Sequence, residues 1–278
     1  MAPPPPTRIV PARAGVAVYE RGAGEPVLLV GGFPDHAIGL LPLAEALGAA
    51  GFRAIVAAYP GYAPSEALPD DDYAIPSVAA DLVTVMEALG APRFSVVGHG
   101  WGALYGYRLA SAHPERVDRL VAIAAPHPAG FARRHAVYAE QKTVIYAYLL
   151  AYAGNAEELA CDRAWLTSLA HAWSPGLWRS DWEDVLDLVA TPAAAHVTHR
   201  YYHTDLAADG PATGVIATPT TVIYGTASQC IRATLFEGLD DRFTAPLVQH
   251  AIADAGHWPH LERPDEVVPL VVDGLRRP

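Results

Sequence analysis

The sequence predicts an α/β fold: a mostly parallel sheet flanked by helices, with a helical segment inserted between the two halves of its core. Three observations predict it. Strand-type runs recur at 27–30, 53–57, 94–97 and 119–124, and those at 27–30 and 94–97 read as strands buried on both faces. Segments of helical spacing separate them, at 37–49, at 75–89 and from the turn near residue 100 to about 112. The alternation then stops over 128–212, where helical and aromatic sequence takes over, and strand-type sequence returns at 220–224 and 248–252.

Each element has a local reason. Residues 1–14 read as a proline-rich tail leading into an edge strand, followed by a strand at 16–20 and a turn at Gly22-Ala23-Gly24. Val27-Leu28-Leu29-Val30 is bounded by glycine and opens into the loop Gly31-Gly32-Phe33-Pro34-Asp35. Leu40, Leu43 and Leu47 then set one apolar helix face. Tyr59-Pro60-Gly61-Tyr62-Ala63-Pro64 is too dense in breakers for regular structure. Val78, Leu82, Val85, Met86 and Leu89 line the next helix, and a last helix is expected over 264–275. The expected division is a core of 1–127 plus 213–278 and a helical cap of 128–212. The tryptophans Trp165, Trp173, Trp178 and Trp182 of the cap are expected mostly in its core, some lining a pocket.

Composition excludes several functions. With 51% hydrophobic and 18% charged residues among 278, the chain buries a core and is not disordered. Its longest apolar run, roughly 144–154, is shorter than the ~20 residues that span a bilayer. The N-terminus lacks the basic and apolar regions of a secretory signal. A net charge of −11 disfavours nucleic acid and anionic membranes as partners. The two cysteines, Cys161 and Cys230, fall in no metal-ligand pattern, which fits a reducing, cytoplasmic compartment. Neither a metal nor a cofactor is expected, and His199 and His203 at i, i+4 are read as surface or seam residues. The single lysine, Lys142, beside abundant alanine and proline reads as a GC-rich bacterial gene. The expected partner is a small-molecule substrate, with a homodimer left open.

The most informative segment is Val96-Val97-Gly98-His99-Gly100-Trp101-Gly102-Ala103, where a buried strand turns into a helix. Gly98 and Gly102 supply the small residues that a sharp strand–nucleophile–helix elbow needs on both sides. Here the chain resembles the α/β-hydrolase superfamily, and within it the epoxide hydrolase and haloalkane or fluoroacetate dehalogenase branch. Gly31-Gly32-Phe33-Pro34 looks like that branch's His-Gly-x-Pro oxyanion loop, and Gly61-Tyr62-Ala63-Pro64-Ser65 like its Gly-Tyr-Gly-x-Ser loop. His113-Pro114-Glu115-Arg116-Val117, Ala125-Pro126-His127-Pro128 and Ala255-Gly256-His257-Trp258 match further segments, the last carrying the catalytic histidine, and His260-Leu261-Glu262-Arg263-Pro264 matches the start of the final helix.

The resemblance breaks at three catalytic positions. The nucleophile position is Gly100, which cannot form an ester intermediate. The acid that orients the histidine is replaced by Ser228, and Ala124-Ala125-Pro126 offers no carboxylate at the alternative place. The histidine of the oxyanion loop is Gly31. Of the triad only His257 remains. Three readings compete: an inactivated hydrolase, a pseudoenzyme that binds without turnover, and an enzyme that uses acid–base or template chemistry without a covalent intermediate. The third leads, because the resemblance assigns the oxyanion hole to the backbone N–H groups of Phe33 and Trp101, and these survive side-chain replacement. Related folds with altered triads include lyases, cofactor-free oxygenases and natural-product cyclases. The expected reaction is therefore cyclisation, elimination, rearrangement or addition on an apolar, oxygenated small molecule.

Other positions carry weaker signals. Thr198-His199-Arg200-Tyr201-Tyr202-His203 looks like the epoxide hydrolase cap segment whose tyrosine polarises the epoxide oxygen; Tyr202 fits that tyrosine, and His203 replaces an arginine. A second cap tyrosine is expected near Tyr146, Tyr148 or Tyr152. Asp35, His36, His99 and Tyr201 are candidate substrate contacts, with packing support as the competing role of His99 and loop solvation or helix capping as that of Asp35. Cys230, near the vacant acid position, is read as a buried free thiol.

Overall fold

The protein is described from a computed structural model, which covers residues 4–133, 156–177, 180–206 and 213–277. The strands are β1 (Arg8–Pro11), β2 (Gly15–Arg21), β3 (Glu25–Val30), β4 (Phe52–Ala57), β5 (Phe94–His99), β6 (Val117–Ile123), β7 (Thr220–Gly225) and β8 (Leu247–Ile252). The helices are α1 (Leu41–Ala49), α2 (Ile75–Ala88), α3 (Trp101–Ala112), α4 (Ala129–Arg133), α5 (Ala156–Cys161), α6 (Arg163–Trp173), α7 (Ser180–Val189), α8 (Pro192–Leu206), α9 (Pro259–Glu262) and α10 (Pro264–Arg276).

Among the described residues the strands form one sheet in the order β1-β2-β4-β3-β5-β6-β7-β8. The pairs β1–β2 and β2–β4 are antiparallel and the rest parallel. The continuous apolar runs follow from burial of both faces. In β3, Leu28 and Val30 pack on the side of α2 and α3, while Val27 and Leu29 pack with Leu43 and Leu47 of α1 and Val267 and Val271 of α10. In β6, Leu120 and Ala122 face the first layer, and Val121 and Ile123 the second.

The helix expected over 37–49 starts differently. Residues Ala37–Leu40 form a 3-10 turn capped by the His36 ring, and α1 begins at Leu41 with Pro42 in its first turn. Spacing alone could not separate the two, since i and i+3 meet in both helix types. The described part of the insertion is helical, and Leu166, Leu169 and Trp173 of α6, Val185 and Leu186 of α7 and Val197 of α8 join the same buried cluster as α2 and α3. The run at 144–154, with Tyr146, Tyr148 and Tyr152, and the side chain of His203 lie outside the described residues. No described helix is long and apolar enough to cross a membrane.

One topological point places the site. The chain leaves β3 to one side, towards β4, and returns on the other side as β5, so β3 and β5 are sheet neighbours from which the chain continues in opposite directions. Open α/β sheets bind ligands in the crevice beyond such a switch point.

Candidate active site

The loops after β3 and β5 meet in close contact. A Cβ on Gly32 would lie 3.0 Å from both Trp101 N and the His99 carbonyl oxygen, and one on Gly102 only 2.0 Å from the Val30 oxygen. Glycine at both positions lets the oxyanion loop lie on the elbow. Gly100 itself has φ 54° and ψ −117°, a left-handed backbone that a side chain tolerates only with strain. The direction a side chain would take there is defined: its Cβ would stand 3.3 Å from His257 Nε2. The elbow position therefore faces the histidine, and it carries no side chain.

His257 is buried, and its loop is fastened on several sides. Its backbone N–H donates to the Trp173 carbonyl at the end of α6 (3.0 Å), and the Trp258 N–H donates to Ser174 Oγ (3.0 Å). Glu262 Oε1 accepts from Ser174 Oγ (2.6 Å) and from Gly256 N (2.9 Å). The His257 ring packs against Trp173 and Trp258 at centroid distances of 5.6 and 4.9 Å. Its Nδ1 has no hydrogen-bond partner among the described residues. Ser228, at the position expected for the acid, turns away: its Oγ accepts from Ile231 N (3.1 Å) within its own loop. Burial, and then neighbouring His99, hold the His257 pKa well below the ordinary histidine value, so the ring is neutral.

The two candidate oxyanion donors are set by these contacts. The N–H groups of Phe33 and Trp101 donate to no described group, and Trp101 N is at the first position of α3, where helix geometry provides no partner. Facing them from α8, Tyr202 lies 4.6 Å from the Trp101 ring and 6.0 Å, edge-on, from Phe33. Tyr201 points deeper. It stacks on Tyr59 (6.1 Å), and its hydroxyl lies 3.4 Å from that of Tyr62, which also bonds Thr198. The aromatic wall of Tyr59, Tyr62 and Tyr105 was not anticipated as part of the site. Its only trace in the sequence is Tyr59 and Tyr62 flanking Pro60-Gly61, a pattern that reads equally well as a loop.

The remaining candidates have internal partners. His36 Nε2–H donates to the Ala63 carbonyl (2.7 Å), and its Nδ1 accepts from Ile38 N (3.3 Å), which fixes a neutral tautomer. Asp35 is neither solvated nor a helix cap, contrary to those two expectations. It is fully buried, its Oδ1 accepts from His36 N (2.7 Å), and Oδ2 lies 3.4 Å from His99 Nδ1. The cap role falls to His36, because Asp35 is drawn inward. His99 is fully buried, and its Nε2–H donates to the His257 carbonyl (2.9 Å), a supporting contact.

Histidine burial has a consequence for stability. His127 donates from Nε2 to the Gly214 carbonyl (3.1 Å), and burial pushes its pKa down to about 4. The unfolded chain binds this proton near pH 6.5, while the folded chain refuses it until about pH 4. Stability therefore falls as pH drops through that window. His196, raised by its hydrogen bond to Asp71, acts with the opposite sign: its contribution is full below about pH 6.5 and is lost as pH rises through the raised value. A thermal-unfolding series from pH 7 to pH 4 is expected to show Tm falling, and His127→Leu should flatten the fall. An unchanged slope in that variant would remove His127 from the account.

A strand, a tight glycine elbow and a helix face a loop-borne histidine, the arrangement of an α/β hydrolase-type scaffold. A family model described as the alpha/beta hydrolase fold matches residues 25–264. The chain belongs to the α/β-hydrolase superfamily, and several of the relatives it resembles are epoxide hydrolases. Bifunctional epoxide hydrolase 2 of Rattus norvegicus is 30% identical over 120 residues, 42% of this chain and 22% of that protein. An epoxide hydrolase of Caballeronia sordidicola is 34% identical over 110 residues, 39% of this chain and 33% of that protein. Epoxide hydrolase 3 of Xenopus tropicalis is 25% identical over 237 residues, 81% of this chain and 65% of that protein. The matched stretch spans about a fifth of the length of the first of these relatives. Among solved structures, the Bacillus megaterium epoxide hydrolase in complex with an inhibitor superposes with a TM-score of 0.80 at 19% identity, covering 97% of this chain and 100% of that one. At that identity the likeness is one of fold.

Proposed function

We propose that the protein is a cofactor-independent enzyme that moves protons on an apolar, oxygenated small molecule without a covalent intermediate, as a cyclase, lyase or isomerase of natural-product type does. The observation that carries this reading is the pairing of a buried, neutral His257 with an elbow position that has no side chain. In the proposed step His257 Nε2 takes a proton from carbon next to a carbonyl. The C–H electron pair moves onto the carbonyl oxygen, and the enolate oxygen accepts hydrogen bonds from Phe33 and Trp101 N–H. Each such donor lowers a barrier by about 3 kcal/mol. The imidazolium returns its proton to complete elimination, rearrangement or ring closure, and Tyr202 faces the same space from the cap.

The similarity to epoxide hydrolases supports a second reading equally: hydrolysis of an epoxide or ester with an altered triad. Exchange in D2O separates the two. The wild-type protein is incubated with an enolisable aryl ketone and, separately, with an epoxide and an activated ester. The proposal expects His257-dependent deuterium incorporation beside the carbonyl, read by proton NMR, with neither diol nor acid released. Release of diol or acid by the wild type would overturn it in favour of hydrolysis. Binding without exchange or product would favour a pseudoenzyme.

A further inference from the structure

Beside His257, three buried residues from distant segments meet. Asp35 follows the oxyanion loop, His99 ends β5 and His260 lies in α9; all three are buried, and one ligand atom from each lies within 4.8 Å of the others. Among the described residues, Asp35 Oδ2, His99 Nδ1 and both ring nitrogens of His260 have no hydrogen-bond partner. Burying four such atoms unpaired is costly, a charged carboxylate most of all.

The tautomer of His99 sharpens the problem. Its Nε2 lies 2.9 Å from the His257 carbonyl oxygen, which can only accept, so Nε2 carries the hydrogen. Without a hydrogen on Nδ1, His99 directs a lone pair at the Asp35 carboxylate 3.4 Å away, and two electron-rich atoms face each other. A positive centre between them, a proton or a metal ion, removes that conflict. A proton could bridge Nδ1 and Oδ2, but a proton joins two atoms and leaves His260 with none. A metal ion joins all three.

We propose that Asp35, His99 and His260 form a binding site for one divalent transition-metal ion. The 3.4 Å separation of His99 Nδ1 and Asp35 Oδ2 equals the edge of a tetrahedral site with bonds of about 2.1 Å. Atoms within 4.8 Å of one another leave a central point no further than about 2.8 Å from each, so shifts of well under 1 Å complete the coordination. Two imidazoles and a carboxylate are borderline donors that select zinc, cobalt or iron over magnesium or calcium. The other Asp35 oxygen accepts from the His36 N–H, which orients the carboxylate as an outer-shell hydrogen bond does in metal sites. His260 also borders a surface cleft of about 410 Å³ between α1 and α10, lined by Pro42, Leu43, Pro264 and Val268. Sequence spacing alone pointed to no metal, because the three ligands come from segments that only the fold brings together.

The test is metal uptake, independent of any activity. Chelator-treated protein is loaded with Zn(II) or Co(II), passed over a desalting column and assayed by elemental analysis. The site predicts one ion per chain, intense visible bands of low-coordinate Co(II), and a rise in Tm with Zn(II). Asp35→Asn and His260→Gln should each weaken uptake at least about 100-fold. His196, between Asp71 and Glu157 on the surface, is the competing histidine–carboxylate cluster, and His196→Ala should leave uptake unchanged. Wild-type protein that folds but retains no stoichiometric ion would overturn the proposal, whatever the variants do. So would uptake abolished by His196→Ala, or a His99 Nδ1–H proton seen by NMR that persists in the presence of Zn(II).

Discussion

His257→Gln is expected to slow proton exchange on a ketone substrate by about 100- to 10,000-fold, the span that a positioned general base contributes. Glutamine keeps a polar tip of similar reach but has no basic nitrogen, so the lost function is proton transfer and not packing. The control is thermal stability. The anchors of the loop run through backbone N–H groups, Ser174 and Glu262, none of which the substitution removes. Because burial and His99 hold the imidazole below the ordinary histidine value, the wild-type rate should stay level from about pH 6.5 upward and decline only in more acidic solution. Unchanged exchange in H257Q would leave templating by the pocket as the chemistry.

The second large effect falls on the fold. Gly102→Ala would push a methyl group to within 2.0 Å of the Val30 oxygen and 2.5 Å of the Gly31 oxygen, both backbone atoms. Neither can retreat, since Val30 is registered against Gly98 in the β3–β5 ladder and Gly31 begins the oxyanion loop. The expected loss is about 4 kcal/mol, beyond ordinary overpacking because the obstacle is main chain. Gly106→Ala, one turn further along α3, meets at 2.7 Å only the side-chain end of Leu120, which can rotate aside. Its cost should stay near 1 kcal/mol. Urea unfolding of the two variants measures the contrast, and similar losses would show that the elbow is less tightly held than its geometry indicates.

The sheet and the elbow were legible because their determinants are contiguous. Four residues such as Val27-Leu28-Leu29-Val30 define a doubly buried strand, and Gly98 to Gly102 define a turn whose glycines have no substitute. The resemblance also located Ser228, but no linear pattern could show its hydroxyl committed to Ile231 N. The start of α1 was blurred because a 3-10 turn and an α-helix share the i, i+3 contact. Asp35 was misjudged for a deeper reason. A short acidic residue ahead of a helix is usually a cap, and its inward turn becomes visible only when the fold brings His99 and His260 beside it. Such a cluster is a property of three segments at once and leaves no mark on any one of them.

The bond from His99 to the His257 carbonyl has a mechanical meaning. His99 is the residue immediately before Gly100, so the ring that braces the histidine loop grows from the elbow itself. The two parts are 158 residues apart in sequence, and this one imidazole contact ties the loop that carries His257 to the strand that ends at the elbow, so removing the ring, as in His99→Ala, is expected to loosen both at once.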